Sequence, residues 1–313
     1  MVAREEKIED VHSFLERKVS KQHKRTDQLL LPASEKREHN VSRHIEIICI
    51  GNELLIGKTL NTNATWMAKR ATALGSEVRR ITVVSDDVDE IAAATIEALK
   101  RKPQSIITTG GLGPTFDDKT LEGISKALER KLEINEKALK MVKEKYEAYA
   151  REGRIEKVDL TPPRIKMAKL PEKAEPLHNP VGTAPSVMIK TKGTILIALP
   201  GVPSEMKAIF EESIVPLLKK QAGDVTFFET SILADSIMES ALAPLIDQVM
   251  HDNSCVYIKS HPKGEEDIPH IELHFSTTAK DSKTGKNRLG EAIIQLSELI
   301  EKNGGKIRIR KSR

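Results

Sequence analysis

From His44 onward the chain alternates between apolar runs and amphipathic stretches. Residues 45–50 read Ile-Glu-Ile-Ile-Cys-Ile, and Gly51 ends the run. That is the pattern of a strand buried on both faces. Asn, Gly and Thr crowd residues 52–62, which read as a loop. Ala64, Met67, Ala68, Ala71 and Leu74 then recur at helical spacing, with Gly75 at the stop position. Residues 78–84 predict a second strand. Asp87 and Glu90 form a capping-box pattern before a helix that buries Val88, Ile91, Ala92, Thr95, Ala98 and Leu99. Pro103 breaks the chain ahead of residues 105–109, a β-branched third strand. This alternation implies mainly parallel pairing, helices on both faces and right-handed crossovers. Ligands of such sheets collect beyond the carboxyl ends of the strands. Gly51 and Gly110 both follow strands, so their loops belong on that edge.

The second half begins in the same style and then changes. Leu121, Ile124 and Leu128 mark a third helix, and residues 132–134 a short strand. Asn135 caps a long helix bearing Ala138, Met141, Val142, Tyr146 and Tyr149. Thr161-Pro162-Pro163 opens an irregular crossing to residues 179–185. Residues 186–190 and 194–199 read as a hairpin around Lys192-Gly193. A helix with Met206, Ile209, Phe210, Ile214 and Leu217 follows, and residues 219–223 read as a linker. Beyond it come a strand (227–233), a helix (236–250), strands at 255–259 and 270–276 around a loop at 262–266, a helix (289–303) and a strand (306–309). That β-α-β-β-α-β order is ferredoxin-like. The expected domains are therefore a charged extension (1–43), an α/β domain (44–220) and a small α+β domain (225–313). The extension reads as a loosely docked segment; the other reading is an arm for RNA, a membrane or a partner.

Composition narrows the function classes. A net charge of +4 over 313 residues is too mild to demand nucleic acid, and 3 % aromatics argue against base-stacking platforms. Cys49 and Cys255 support neither a disulfide framework nor a cysteine-rich zinc site. The charged start has no apolar signal segment, and no apolar run is of bilayer-spanning length. A cytoplasmic protein that contacts neither membrane nor nucleic acid is expected.

The chemistry concentrates in residues 105–118. Gly110, Gly111 and Gly113 follow the third strand, and Asp117-Asp118 precede the third helix. Glycine lets backbone approach a ligand closely, and turn N–H groups can hold an anion. The aspartates suit a hard divalent cation that bridges to phosphate oxygens. The plain alternative is that Asp118 caps the helix and Asp117 is a solvated first-turn acid. Glu53, just past the first strand, is placed to help bind metal or orient an attacking water; its alternative is bonding to loop N–H groups. Asn61 and Asn63 suit phosphate or ribose, or serve as N-caps. Gly182 and Thr183 lie in a Pro-flanked loop fit to cover a ligand, while Gly201 and Ser204 sit in another strand-to-helix turn. Turn chemistry alone accounts for both. Lys58 is a candidate phosphate neutraliser or a surface lysine. No Gly-x-Ser-x-Gly elbow or Walker-A lysine is present.

Four motifs carry a resemblance. Gly51-Asn52-Glu53-Leu54-Leu55 with Gly57 and Asn61-Thr62-Asn63 is one, and Gly110-Gly111-Leu112-Gly113-Pro114-Thr115 with Asp117-Asp118 another. Asn179-Pro180-Val181-Gly182-Thr183-Ala184-Pro185 and Leu199-Pro200-Gly201-Val202-Pro203-Ser204-Glu205-Met206 complete the set. In this order they resemble the CinA-like family over about residues 45–220. The resemblance implies the molybdopterin-binding (MoaB/Mog-like) fold, a three-layer α/β/α sandwich with a mainly parallel sheet. Residues 225–310 resemble the family's small middle domain, with Glu239-Ser240-Ala241-Leu242 on its helix. Asn52 and Phe116 depart from the family pattern. Longer members carry a nicotinamide-nucleotide deamidase domain that this sequence does not match, so deamidase activity is not expected. Two activities are implied for the large domain. One is a metal-dependent, Mg²⁺-type pyrophosphatase acting on ADP-ribose or FAD. The other is binding or adenylylation of molybdopterin. In either case Gly51, Thr115 and the residues above would contact a nucleotide or pterin, and a homo-oligomer is implied.

Overall fold

The computed structural model of the chain describes residues 44–191, 193–223, 225–263 and 270–308. The expectations for residues 1–43, Lys192, the loop residues 264–266 and Ile309 lie outside the described residues. The chain divides into two compact units after Gly223.

The first unit begins with β1 (His44–Ile50), a helical turn α1 (Asn52–Leu55), α2 (Thr62–Ala73), β2 (Glu77–Val84), α3 (Val88–Lys100) and β3 (Ser105–Thr109). It continues through α4 (Thr120–Ala127), β4 (Leu132–Ile134), α5 (Glu136–Arg151), the short α6 (Pro162–Lys166), β5 (Lys169–Pro171) and β6 (Glu175–Leu177). It closes with β7 (Ser186–Lys190), β8 (Ile195–Leu199), α7 (Pro203–Ile209), a π-turn (Phe210–Ile214) and α8 (Val215–Ala222). The main sheet has the order β2-β1-β3-β8-β7-β6. β2, β1, β3 and β8 run parallel, and β7 is antiparallel to both its neighbours.

Period-two alternation builds the layers. In β1, Ile45, Ile47 and Cys49 face one core, shared with Met67 and Ala71 of α2 and with Met206, Ile209 and Phe210. Ile48 and Ile50 face the other, shared with Ile91 and Ala98 of α3, Ile124 of α4, and Ala138 and Val142 of α5. The central strands β1 and β3 are therefore covered on both faces, the arrangement expected of a parallel sheet. Glu46, in the middle of β1, is a buried acid only 2 % exposed. Arg101, at the end of α3, donates to both of its carboxylate oxygens at 2.7 Å.

Several elements differ from the sequence-based expectation. Asn52–Leu55 forms a helical turn inside the expected loop, with Ile56 N–H bonded to Asn52 O at 3.1 Å. The crossing after Thr161 contains α6, β5 and β6, with β5 pairing to β4. Its anchor residues Met167, Ala168 and Leu170 are buried, and Arg164 stacks 3.8 Å over the Tyr146 ring. The residues expected as a linker are helical as far as Ala222, because Leu218 and Ala222 still face the core. Pro216 has no N–H to continue the helical ladder, and the chain widens into the π-turn just before it.

The second unit contains β9 (Thr226–Asp235), α9 (Glu239–Asp252), β10 (Val256–Lys263), β11 (His270–Ala279), α10 (Ser282–Lys302) and β12 (Lys306–Arg308). Its antiparallel sheet has the order β10-β11-β9-β12, the ferredoxin-like arrangement. α10 starts earlier than its apolar spacing indicates, because Asp281 caps it at Thr284 N–H (2.8 Å) and Gly285 fits against Phe228. One sheet face joins α9 and α10 in the core. On the other, Glu272 is 3 % exposed and accepts from Lys263 (2.5 Å) and Ser231 (3.1 Å), with His274 at 3.4 Å. The Lys263 ammonium leads these in holding the Glu272 carboxyl at about 2. No helix among the described residues is long and apolar enough to cross a membrane.

Two outcomes follow. Arg101→Met strands the Glu46 carboxylate in the core and should cost about 3 kcal/mol in denaturant unfolding, with Glu46→Gln recovering part of the loss. The depressed Glu272 value adds stability that is complete above the ordinary carboxylate range and is lost as pH falls towards 2. Glu272→Gln should flatten that part of the pH–stability profile by on the order of 2 kcal/mol, followed by circular dichroism.

Candidate active site

The parallel register sets three strand ends side by side. Cys49 pairs with Thr109, and Thr109 with Leu199, so the loops after β1, β3 and β8 leave the sheet together. Two side chains bind these loops to one another. Asn63, in the first turn of α2, donates through Nδ2 to Thr109 Oγ1 (3.1 Å) and to Gly201 O (2.8 Å). Thr109 Oγ1 donates in turn to Pro200 O at 2.9 Å. Asn63 Oδ1 is buried and has no hydrogen-bond partner among the described residues, so it is an acceptor ready for a donor. Asn61 caps α2 through Ala64 N–H (3.1 Å), which satisfies its plain alternative, yet it also lines the cleft described below.

The glycine turn is shaped by close approach. Gly110 has φ +111°, and a Cβ there would sit 2.1 Å from Ile50 O, so only glycine fits. Its N–H donates to Leu199 O at 3.0 Å, and its carbonyl accepts from the Thr120 hydroxyl at 2.8 Å. Gly110 therefore has no N–H left for a phosphate, a correction to the sequence reading. The N–H groups of Gly111 and Gly113 meet no acceptor among the described residues and are the donors that a ligand would find.

The acidic pair is organised by Thr115. Asp118 Oδ2 accepts from Thr115 N–H at 2.8 Å and from its hydroxyl at 2.6 Å. Asp117 Oδ1 takes the same hydroxyl. One hydroxyl carries one proton, so two carboxylates converge where only one can be satisfied at a time. The Thr115 hydroxyl is also the main reason the Asp117 carboxyl lies below its ordinary range, with Lys166 and Lys119 adding to the effect. Asp118 does not cap α4: Lys119 occupies that position, without a side-chain cap. The capping alternative for Asp118 therefore fails.

These parts enclose a cleft of about 290 Å³. Of the sequence-predicted residues, Gly51, Glu53, Asn61, Asn63, Gly110, Gly111, Asp117, Asp118 and Gly201 line it. Gly113 and Thr183 line an adjoining depression of about 320 Å³ that shares Gly111, Asp118 and Gly201 with the cleft. Gly182 faces a separate hollow beside His178 and Asn179, where its N–H is taken by Asn179 Oδ1 at 2.8 Å. Thr115 acts through the acidic pair, and Ser204 lines neither the cleft nor the depression. Lys58 is exposed and outside the cleft. Three residues went unrecognised. Asp86 lines the cleft and accepts Asn52 N–H at 2.8 Å; its neighbour Asp87 drew attention only as a cap. Glu205 lines the depression and accepts from Asn179 Nδ2 at 2.8 Å. Lys166 reaches the Thr115 carbonyl from α6. Nothing in the linear sequence connects residue 166 with residue 115.

The donor set suits a hard divalent cation. Asp117 and Asp118 offer adjacent carboxylate oxygens, and an ion such as Mg²⁺ is ordinarily held by one or two carboxylates, waters and substrate phosphates. Among the described residues no three His, Cys, Asp or Glu side chains gather tightly enough to hold an ion alone. Glu53 therefore stands in the cleft as a separate group rather than a third ligand.

Residues 46–220 match the family model described as “Probable molybdopterin binding domain”. A protein of Sulfurisphaera tokodaii is 44 % identical over 265 residues, covering 84 % of this chain and 97 % of that protein. A protein of Pyrobaculum calidifontis is 46 % identical over 256 residues, covering 82 % and 95 %. Among solved structures, the protein CinA from Thermoplasma acidophilum, described as of unknown function, is 44 % identical with TM-score 0.51. It is covered over 98 % of its length by 56 % of this chain.

Asn63→Ala tests the loop tie. It removes the donor to the Gly201 carbonyl and should cost about 1–3 kcal/mol in thermal unfolding. Amide exchange should quicken in residues 110–118 and 200–203 while the sheet interior keeps its protection.

Proposed function

The chain belongs to the “Probable molybdopterin binding domain” family, in its CinA-like branch, and on that premise we propose that its large domain is a metal-dependent pyrophosphatase of nucleotide diphosphates such as ADP-ribose or FAD. The observation that carries this reading is a cleft in which the acidic pair lies beside Gly111, whose N–H, like that of Gly113 in the adjoining depression, meets no acceptor among the described residues. Asp117 and Asp118 would hold Mg²⁺ or a similar ion. When bound, that ion neutralises phosphate oxygens as negative charge grows on the leaving group. The N–H groups of Gly111 and Gly113 donate to the diphosphate oxygens. Asn63 Oδ1 accepts from a ribose hydroxyl, the kind of donor this buried acceptor requires. A Glu53 carboxylate oxygen accepts a proton from the attacking water. The water oxygen bonds to phosphorus as the bridging P–O bond breaks, leaving two phosphate monoesters. The partner is thus a small-molecule nucleotide and the expected compartment the cytoplasm.

The family description favours a second reading, a pterin- or nucleotide-binding protein without hydrolysis. Asp118→Asn separates the two. It keeps an oxygen for Thr115 N–H, so the fold should survive, while turnover of ADP-ribose to AMP and ribose 5-phosphate should fall at least about a hundredfold by mass-resolved assay. Full turnover in this variant removes the assignment. Wild-type protein that retains molybdopterin and leaves ADP-ribose intact selects the second reading.

A further inference from the structure

The ligand proposed for this cleft carries two or more negative charges, yet every ionisable side chain lining it is acidic. They are Glu53, Asp86, Asp117 and Asp118. The adjoining depression adds Glu205. A divalent ion between the aspartates offsets part of this charge. The chain also places cations beside the turn. Gly111, Gly113, Asp118 and Glu122 share a small hollow with Lys166 and Lys169, and of the two lysines Lys166 is the one that reaches the turn. The Lys166 ammonium donates to the Thr115 carbonyl and helps to lower the Asp117 carboxyl.

Its position is built rather than incidental. Pro162 starts α6, and Ile165 N–H closes onto Thr161 O at 2.9 Å. Met167 and Ala168 are buried immediately afterwards, and Ala168 O accepts Asn135 N–H at 2.9 Å. Pairing of β5 with β4 fixes the following residues. Lys166 is itself half-buried, so its stem has limited freedom while the ammonium reaches the turn.

We propose that Lys166 is a phosphate-binding residue of this site, exchanging the Thr115 carbonyl for an oxygen of a phosphate or diphosphate ester seated on Gly111–Gly113. This rests on the reading of the glycine turn as a phosphate cradle. It shares the work of neutralisation between a bound cation and the lysine. A lysine suits the task because its ammonium can exchange one oxygen acceptor for another without bidentate geometry.

Calorimetric titration with ADP-ribose in EDTA, where the proposed hydrolysis cannot run, and with its product AMP in Mg²⁺ tests it. Lys166→Met should weaken binding about ten- to a hundredfold in both conditions, the scale of one charge-assisted hydrogen bond. It should also lessen the salt dependence of the affinity, and Lys166→Arg should restore much of the loss. Adenosine, which has no phosphate, should bind both forms alike. Lys58→Met removes the same charge from outside the cleft and should stay within about twofold of wild type. Equal ADP-ribose affinity and equal salt dependence in wild type and Lys166→Met overturn the lysine assignment alone. So does a loss in Lys58→Met as large as that in Lys166→Met. Loss of thermal stability in Lys166→Met with unchanged affinity assigns the lysine to the turn's structure instead, which also overturns it. Wild-type protein that binds no phosphate ester defeats the cradle reading itself.

Discussion

Two side chains, Asn63 and Thr109, turn three independent loops into one surface. Parallel strands necessarily release their chains at one edge, but nothing in sheet hydrogen bonding fixes the loops beyond it. Asn63 reaches from α2 to the ends of β3 and β8, and Thr109 passes the connection to Pro200. Gly110 completes the junction by letting the backbone lie against Ile50 O, where a Cβ would be 2.1 Å away. The cleft thus takes its shape from a few directional bonds on a rigid sheet, the kind of support that holds a site in place.

Charge is distributed on that surface with a clear asymmetry. Asp117 and Asp118 converge on the single proton of the Thr115 hydroxyl. Like charges brought this close are stabilised by a cation, and the chain brings Lys166 to the Thr115 carbonyl beside them. The same threonine therefore positions both acids and receives the lysine.

The second unit handles a buried charge by other means. Glu272 lies on the sheet face away from the helices, nearly inaccessible, among Lys263, Ser231 and His274. Asp235 on the same sheet is lowered chiefly by Arg308 and further by His270. Cross-strand ionic pairs of this sort fix register between β9, β11 and their neighbours as well as adding stability.

The linear sequence determined the longer strands and helices and the layer order. Those depend on apolar periodicity, and burial on both faces of β1 and β3 leaves the same mark wherever it occurs. It also pointed to the glycine turn and the acidic pair, because their residues are contiguous. The order of motifs placed the chain beside its family before any geometry was known. Tertiary structure alone decided the rest. That Gly110 gives its N–H to Leu199, that Asp118 serves Thr115 and not the helix, and that Glu205 meets Asn179 are contacts between residues that any of several partners would have satisfied equally on paper. α6 and β5 were hidden because short elements carry too few residues to show a period, and their stability comes from docking. Lys166 was hidden with them. A lysine next to a buried methionine has no local signature of phosphate binding; only the folding of the chain brings residue 166 to the carbonyl of residue 115.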